Sequence, residues 1–221
     1  MRIFVTGASG WIGSATVREL VAAGHHVSGL ARSEESAATV ERLGASVVRG
    51  SLEDLDSLRA GATGVDAVVH LGYHHDFSEM PQAAALDRAA IDTFGGILAE
   101  TGGTLLIASG AGGLALGRPA VESDVPDPAS HPRNGNGAAA LAWAEHGVKP
   151  IVARFAPTVH GPGDHGFVAT LAEVARTSGV AAYVGDGANR WPAVHVLDAA
   201  ALLRSAIENP STVWSITAPT T

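Results

Sequence analysis

Short runs of β-branched and other apolar residues alternate along the chain with longer segments in which apolar residues recur every three or four positions. The short runs predict strands and the longer segments predict helices, because the two structures place side chains on one face with different periods. The predicted strands span residues 3–6, 26–30, 46–49, 67–71, 104–108, 151–155 and 213–216. The predicted helices span residues 12–23, 34–43, 52–60, 81–100, 138–146, 168–178 and 197–208.

Regular alternation of strand and helix is typical of parallel strands joined by helical crossovers. We therefore predict an α/β protein with a Rossmann-type, doubly wound parallel sheet of about seven strands and helices on both faces. Neither a repeat nor a linker divides the chain, so residues 1–221 are interpreted as one domain. The glycines expected to end helices in the left-handed conformation are Gly24, Gly44, Gly61, Gly147 and Gly179.

Irregular stretches follow the late strands. Residues 110–135 are rich in Gly, Pro, Asp and Ser and follow the fifth predicted strand, and residues 157–166 follow the sixth. Ligands bind beyond the carboxyl ends of the strands in sheets of this kind. The stretches at about 157–166 and 180–195 are therefore predicted to be small insertions that contribute to a substrate site.

Composition and charge narrow the classes of function. The net charge is -8, from 14 Lys and Arg against 22 Asp and Glu, and no basic run argues for a nucleic-acid partner. The absence of cysteine excludes thiol catalysis, thiolate metal sites and disulfides, and it fits a cytoplasmic protein. No apolar run reaches the roughly 18 residues of a membrane span. Because Met1 leads directly into a predicted strand, we expect no signal peptide.

A glycine-rich turn joins the first predicted strand to the first helix, where residues 6–13 read TGASGWIG. Gly7 would permit the tight turn, Gly10 would let a pyrophosphate approach the backbone, and Gly13 would let the helix pack closely on the strand. The amino terminus of the helix offers free N–H groups and a partial positive charge to phosphates. The turn therefore predicts a dinucleotide site.

The Thr-Gly-x-x-Gly-x-x-Gly spacing resembles the short-chain dehydrogenase/reductase superfamily, in particular its extended or atypical branch related to nucleotide-sugar epimerases and dehydratases. The resemblance covers nearly the whole chain. The other segments that carry it are GSLED at 50–54, VHLG at 69–72, RFAPTVHGPG at 154–163 and PAVHVLD at 192–198.

The resemblance implies contacts of a nicotinamide dinucleotide with four parts of the chain. These are the glycine-rich turn, the turn after the third strand that flanks the adenine, the end of the fourth strand beside the ribose, and the segment after the sixth strand beside the nicotinamide. Ser51 replaces the Asp that the family usually has at the adenine. The residues assigned in this way are Gly7, Ser9, Gly10, Trp11, Ile12, Gly13, Ser51, Leu52, Leu71, Gly72, Tyr73, Pro157 and Val159.

The end of the second strand bears on the choice between NAD and NADP. An acidic residue there binds the ribose 2′-hydroxyl of NAD. This chain has Arg32 and Ser33 instead, and an arginine can clamp a 2′-phosphate. We predict NADP, with NAD as the alternative in which Arg32 stacks on the adenine without discriminating.

Family members generally use a Ser or Thr together with a Tyr-x-x-x-Lys pair. Ser109 lies at the end of the fifth strand, where the family serine belongs, and is predicted to hold the substrate carbonyl. The Tyr-x-x-x-Lys pair is missing. The family spacing puts Arg133 where the lysine would be and Ala129 at the tyrosine position, and alanine cannot transfer a proton. Residues 133–137 also read as a turn rather than a helix.

Other residues can replace the missing proton donor. Tyr73 follows the fourth strand at the cofactor edge, beside His74 and His75. A tyrosine or an imidazole can donate a proton in such a position. Ser109, Tyr73 and Arg133 are therefore the predicted catalytic residues.

Further side chains from late segments are predicted to contact the substrate. The predicted substrate residues are His74, His160, His165 and Trp191. A surface role for each histidine and a core role for Trp191 are the alternatives. Neighbouring His74 and His75 point apart in an extended loop, so we predict no metal site.

Three functions remain open from the sequence. The leading hypothesis is an NADP(H)-dependent oxidoreductase acting on a small carbonyl or alcohol. Extended family members normally continue into a substrate-capping domain that is nearly absent here, which favours a small substrate over a nucleotide sugar. The alternatives are a cofactor-retaining isomerase, epimerase or dehydratase, and a non-catalytic NADP-sensing regulator. The long, Ala-rich helix at 81–100 would suit a homodimer interface.

Overall fold

The computed structural model describes residues 1–74, 78–112, 114 and 117–210, and the backbone of residues 214–217. The strands are β1 Arg2–Thr6, β2 His26–Ala31, β3 Ser46–Arg49, β4 Ala67–His70, β5 Thr104–Gly110, β6 Lys149–Phe155, β7 Thr158–His160, β8 Ala193–His195 and β9 Trp214–Thr217. The helices are α1 Trp11–Ala22, α2 Glu34–Arg42, α3 Leu55–Ala62, α4 Met80–Ala99, α5 Asn134–Ala142, α6 Phe167–Ser178 and α7 Val196–Glu208. A short 3-10 helix, Trp143–His146, continues α5. None of the described helices combines the length and the apolar composition needed to cross a membrane.

The main sheet has the predicted Rossmann topology. Among the described residues, seven parallel strands lie in the order β3-β2-β1-β4-β5-β6-β9. The chain runs outward from β1 in one direction, then returns and runs outward from β4 in the other. This reversal opens a crevice beyond the carboxyl ends of β1 and β4, which is where ligands bind in doubly wound sheets. The predicted fold class is confirmed.

Helices cover both faces of the sheet, as the apolar strands require. Ile3 and Val5 of β1 face a cluster that includes residues of α1, α2 and α7. Phe4, between them, faces the opposite cluster with residues of α3, α4 and α5. Because successive side chains of a strand alternate between faces, Thr6 at the end of β1 shares the face of Phe4. The polar end of β1 therefore faces the side of the sheet that α4 and α5 cover.

Helix α5 begins at Asn134, although the glycines in this stretch predicted a turn and placed the helix start at residue 138. The side-chain amide of Asn136 is buried and donates hydrogen bonds to Ala84 O at 2.9 Å and Asp87 Oδ2 at 2.7 Å, both on α4. These contacts between helices compensate for the weak helix propensity of Asn and Gly. The turn prediction was wrong because it considered local preference alone.

Gly61 does not end a helix, contrary to the prediction. It lies inside α3, where an added Cβ would stand 2.3 Å from Cζ of Phe4. Glycine is therefore required here by the close approach of the helix to the Phe4 ring. The other glycines predicted to end helices, Gly24, Gly44, Gly147 and Gly179, all have positive φ.

A small second sheet joins the two predicted insertions. Strands β7 and β8 pair in parallel, with Thr158 opposite Ala193 and His160 opposite His195. Neither strand was predicted, because three residues give too short a pattern to recognise. The pairing brings the segment after β6 against the segment before α7.

A polar cluster is buried between the sheet and α4. Asp87 of α4 is only 2% exposed, and its Oδ1 lies 3.3 Å from Nε2 of His70, which is fully buried at the end of β4. The other ring nitrogen of His70, Nδ1, is hydrogen-bonded to the Thr6 hydroxyl at 2.7 Å. That hydroxyl accepts a hydrogen bond from the Gly72 backbone N–H at 3.1 Å. One buried carboxylate thus links α4 to the ends of β4 and β1.

The charge of Asp87 is maintained by its neighbours. Burial by itself would raise the pKa of Asp87, but the contact with His70, the positive charge of Arg133 and the hydrogen bond from Asn136 outweigh it and lower the pKa. The carboxylate is therefore charged at neutral pH. Its charged form stabilises the folded state.

We predict that Asp87→Ala lowers the free energy of unfolding by about 3 kcal/mol, because it leaves several buried polar groups without their partner. Asp92→Ala is the matched control, since Asp92 lies on the same helix and pairs with Arg88 at the surface. That change should cost less than about 1 kcal/mol. Urea unfolding of both variants measures the difference, and equal losses would contradict the role given to Asp87.

The same pair of variants has a predicted pH dependence. Because folding lowers the pKa of Asp87, its stabilising contribution is present at neutral pH. The contribution is lost as the pH falls from the ordinary Asp value of about 4 through the lowered folded-state value. The gap in stability between wild type and Asp87→Ala should therefore narrow in acid.

Candidate active site

The glycine-rich turn has the close approaches that the motif predicted. Gly7 has φ +66°, and an added Cβ would stand 2.7 Å from Gly72 N of the neighbouring strand end. An added Cβ on Gly13 would stand 1.9 Å from Gly7 O, so the first turn of α1 packs directly against the loop. Gly10 N donates to Gly7 O at 2.9 Å and closes the turn. Larger residues at Gly7 or Gly13 would displace the turn.

The amino terminus of α1 fits a pyrophosphate. Gly10 is the N-cap and has no side chain to occupy the first N–H groups, and the first turn contains no acidic residue. Ser9 and Ile12 border this terminus and are partly exposed. Uncapped N–H groups at a helix start attract anions through the helix dipole.

The end of β2 presents Arg32 to solvent. Arg32 is exposed, and it forms no ion pair with the described residues. Ser33 is the N-cap of α2, and its hydroxyl oxygen accepts a hydrogen bond from Ser36 N at 3.2 Å. Of the two residues predicted to recognise a 2′-phosphate, Arg32 is thus the freer, while Ser33 already has a structural role.

The turn after β3 faces the end of β4 across the crevice. Cδ1 of Leu52 would lie 3.4 Å from a Cβ added to Gly72, so the two predicted adenine and ribose contacts are neighbours. His74 does not reach the other predicted substrate residues in the described structure. Its Nε2 lies 2.5 Å from Oε1 of Glu53 in the turn after β3. A hydrogen bond from Ser51, the backbone N–H of Glu53 and the contact with His74 together lower the pKa of Glu53.

The Arg133 guanidinium contacts Tyr73 and the backbone next to Ser109. Arg133 directly precedes α5, and its Nη2 donates to Ala108 O at 2.9 Å, next to Ser109. Its Cζ lies 3.8 Å from the ring centroid of Tyr73. The same Nη2 is 3.5 Å from Oδ1 of Asp87. Arg133 therefore connects the strand end that carries Ser109 with the ring of Tyr73 and with the buried polar cluster.

The surroundings of Tyr73 favour its protonated form. Burial raises the pKa of Tyr73, the charge of Asp87 raises it further, and the opposing charge of Arg133 does not restore the ordinary value. A phenol with a raised pKa carries its proton throughout the neutral range. A protonated phenol in such a site can donate a proton.

Trp11 connects the glycine-rich turn to the segment after β6. Its indole Nε1 donates to Val159 O at 2.7 Å, and its ring meets the ring of His165 edge-on, with centroids 5.7 Å apart. The His160 ring meets that of His195 at 5.4 Å across the β7–β8 pair. His160 and His165 thus lie in one region close to the glycine-rich turn.

Trp191 lies farther along the insertion. It is 55% exposed and contacts the ring of Phe167 at the start of α6. Trp191 is therefore not a core residue, contrary to the alternative interpretation. Pro157 lies beside the loop after β5, with its Cγ 3.9 Å from a Cβ added to Gly112. His75, named beside Tyr73 and His74, lies outside the described residues.

Sequence reasoning missed Asp87 and Asn136. The signal for Asp87 was present: it interrupts the apolar stripe that Ala83, Ala90 and Phe94 form on the buried face of α4. A single acidic residue on such a stripe indicates a buried partner. Asn136 gave no such signal, because its role depends on the packing of α5 against α4.

Comparison with known proteins agrees with this geometry. Residues 7–113 match the NAD(P)H-binding family. An uncharacterised protein of Schizosaccharomyces pombe is 46% identical over 94% of this chain and 71% of its own length. A 2-alkyl-3-oxoalkanoate reductase of Stenotrophomonas maltophilia is 30% identical over 90% of this chain and 63% of its own length.

Solved structures share the fold. The NAD-bound UDP-glucose-4-epimerase of Stenotrophomonas maltophilia superimposes with a TM-score of 0.78 and 20% identity, over 98% of this chain and 77% of that one. An identity this low indicates a common fold and does not by itself carry an activity. Together, the NAD(P)H-binding match over residues 7–113, the similarity to a reductase and the shared fold support the resemblance to the short-chain dehydrogenase/reductase superfamily.

Proposed function

We propose that the protein is an NADP(H)-dependent oxidoreductase that interconverts a small ketone or aldehyde and the corresponding alcohol. The observation that carries the proposal is the position of Arg133, which contacts both the Tyr73 ring and the backbone next to Ser109. The Arg133 guanidinium therefore lies between the Tyr73 phenol and the strand end that carries the Ser109 hydroxyl. This is the set of groups that carbonyl reduction requires.

The relatives support a carbonyl substrate. The Stenotrophomonas maltophilia relative is, by its name, a reductase of an oxoalkanoate. An oxoalkanoate is a keto acid, unlike the nucleotide sugar named with the epimerase structure. The identity to this reductase is also higher than that to the epimerase structure.

The residues of the chain have separate roles in the proposed reaction. A bound reduced nicotinamide supplies the hydride that the carbonyl carbon accepts. The Ser109 hydroxyl donates a hydrogen bond to the carbonyl oxygen and holds it in place. Tyr73 donates its proton to that oxygen as negative charge develops, so the product is an alcohol and the phenolate takes up a proton from solvent.

Arg133 contributes electrostatically. Its guanidinium lies over the Tyr73 ring and stabilises negative charge on both the substrate oxygen and the phenolate. In this role it replaces the lysine of the family pair. Asp87 and His70 are positioning residues, because they act on the substrate only through Arg133.

The proposed preference for NADP rests on Arg32. A guanidinium at the end of β2 can form paired hydrogen bonds with a 2′-phosphate. Residues 34 and 35 are both glutamates, and the Glu34 side chain pairs with Arg49 at 2.6 Å, which leaves Arg32 without that partner. Among the described residues, no carboxylate competes with a phosphate for the Arg32 guanidinium.

We predict that calorimetry finds NADPH bound at least tenfold more tightly than NADH, or about 1.4 kcal/mol. Arg32→Gln should remove most of this difference by weakening NADPH alone. Arg42→Gln is the matched control, because Arg42 is an exposed arginine near the other end of α2. Equal affinity of the wild type for both cofactors would contradict the preference, and binding of neither would contradict the proposed function.

We predict that Ser109→Ala lowers kcat for carbonyl reduction by about 100-fold or more while the affinity for NADPH stays unchanged. Tyr73→Phe should also lower kcat by about 100-fold or more, because it removes the proton donor. Ser205→Ala is the control for the serine change, since Ser205 is exposed on α7. Because the pKa of Tyr73 is raised, the rate of reduction should not fall as the pH rises to about 9.

Several results would contradict the proposal. Unchanged turnover in Ser109→Ala would remove that residue from the mechanism. Conversion of a substrate without net change in nicotinamide absorbance would indicate an isomerase, epimerase or dehydratase. Tight NADPH binding without turnover on a broad panel of carbonyl compounds would indicate a cofactor-sensing regulator.

A further inference from the structure

A second arginine lies beside Arg32 at the carboxyl edge of the sheet. Arg49 is the last residue of β3 and pairs in register with Ala31, the last residue of β2. Adjacent strands lie about 4.8 Å apart, so the backbone of Arg49 is close to that of Arg32, which follows Ala31. The N–H of Gly50 donates to Ala31 O at 3.2 Å and continues this contact past the strand ends. Two guanidinium side chains therefore start from neighbouring points at this edge.

The side chain of Arg49 is paired with a carboxylate. Its Nη2 donates to Oε2 of Glu34 at 2.6 Å, and Glu34 lies in the first turn of α2. The Glu34 side chain is 91% exposed and that of Arg49 is 50% exposed, so water surrounds much of the pair. An exposed ion pair contributes little to stability, so another anion can replace its carboxylate at a small cost in free energy. Arg49 is therefore available to a phosphate, but only in competition with Glu34.

A phosphate is the stronger partner in this competition. A phosphate monoester carries about two negative charges at neutral pH and has three acceptor oxygens. A carboxylate carries a single charge and has two oxygens. Because Arg32 and Arg49 start from adjacent strand ends, the oxygens of one phosphate can accept hydrogen bonds from both guanidinium groups.

We infer that Arg49 is a second ligand of the 2′-phosphate of NADP, and that Glu34 occupies its guanidinium until the phosphate displaces the carboxylate. Glu34 thereby limits the preference for NADP over NAD. NAD has a hydroxyl in place of the phosphate, so it leaves the pair of Glu34 and Arg49 intact. This inference rests on the proposed cofactor preference and adds to it a residue of the neighbouring strand and a competing carboxylate.

The first test measures the affinity for NADPH and NADH by calorimetry, at low ionic strength because salt screens exposed charges. Arg49→Met should weaken the binding of NADPH about tenfold and change that of NADH by less than about twofold. Arg59→Met is the matched control. Arg59 is 54% exposed and pairs with Asp56 at 2.7 Å, but it lies on α3 rather than at the end of β3. That change should alter neither affinity by more than about twofold.

The second test removes the competing carboxylate. Glu34→Gln should tighten the binding of NADPH about threefold and leave that of NADH unchanged, because it releases Arg49. Glu35→Gln is the matched control for the lost negative charge, since Glu35 is exposed in the same turn of α2 and forms no ion pair with the described residues. Its effect on NADPH should be clearly smaller. When Arg49 is already Met, Glu34→Gln should no longer tighten NADPH, and this double-mutant cycle isolates the competition.

Three results would overturn the inference while leaving the proposed NADP preference and the role of Arg32 intact. The first is unchanged NADPH affinity in Arg49→Met. The second is an equal loss for NADPH and NADH, which would place Arg49 at a part that both cofactors share. The third is equal tightening by Glu34→Gln and Glu35→Gln, which would reduce the effect of Glu34 to general repulsion. A wild type that binds NADPH no more tightly than NADH would instead refute the proposed cofactor preference itself.

Discussion

The arrangement of residues at the carboxyl edge of the sheet depends on the buried carboxylate of Asp87. It contacts His70 at the end of β4, Asn136 in the first turn of α5 and Arg133 immediately before that helix. A charge at this depth is tolerated only when several donors surround it, so each donor must occupy a defined position. The position of Arg133, and with it the start of α5, follows from this requirement.

The cofactor half and the substrate half of the proposed site are also joined, but at the other side of the crevice. The Trp11 indole bonds Val159 O, so the residue that begins α1 holds the segment after β6. That segment pairs with β8, which leads directly into α7. A displacement of the glycine-rich turn would therefore also move His160 of β7 and His195 of β8.

Two arginines on the same side of the sheet illustrate how burial and partner decide chemistry. Arg133 is compensated by Asp87 and by a backbone carbonyl, so it serves as a fixed charge beside Tyr73. Arg154 is buried at the end of β6, and the charges of Asp124 and Glu122 offset only in part the lowering of its pKa by burial. In the proposed reaction, Arg133 supplies the positive charge that the lysine of the family pair would contribute.

The sequence alone determined the sheet, the glycine-rich turn and most helix positions. These features follow from periodicity and from spacing over a few residues, and Gly7 and Gly13 show the close approaches that their spacing predicted. It also indicated Ser109, Tyr73 and Arg133 as separate candidates. The tertiary structure decided what these residues contact, because Tyr73, Asp87 and Arg133 meet only when β4, α4 and α5 pack together. The early start of α5, the position of Gly61 against Phe4 and the β7–β8 pair had the same origin. In each case a contact between residues distant in sequence outweighed the local preference of the chain. A local sequence pattern does not predict such contacts.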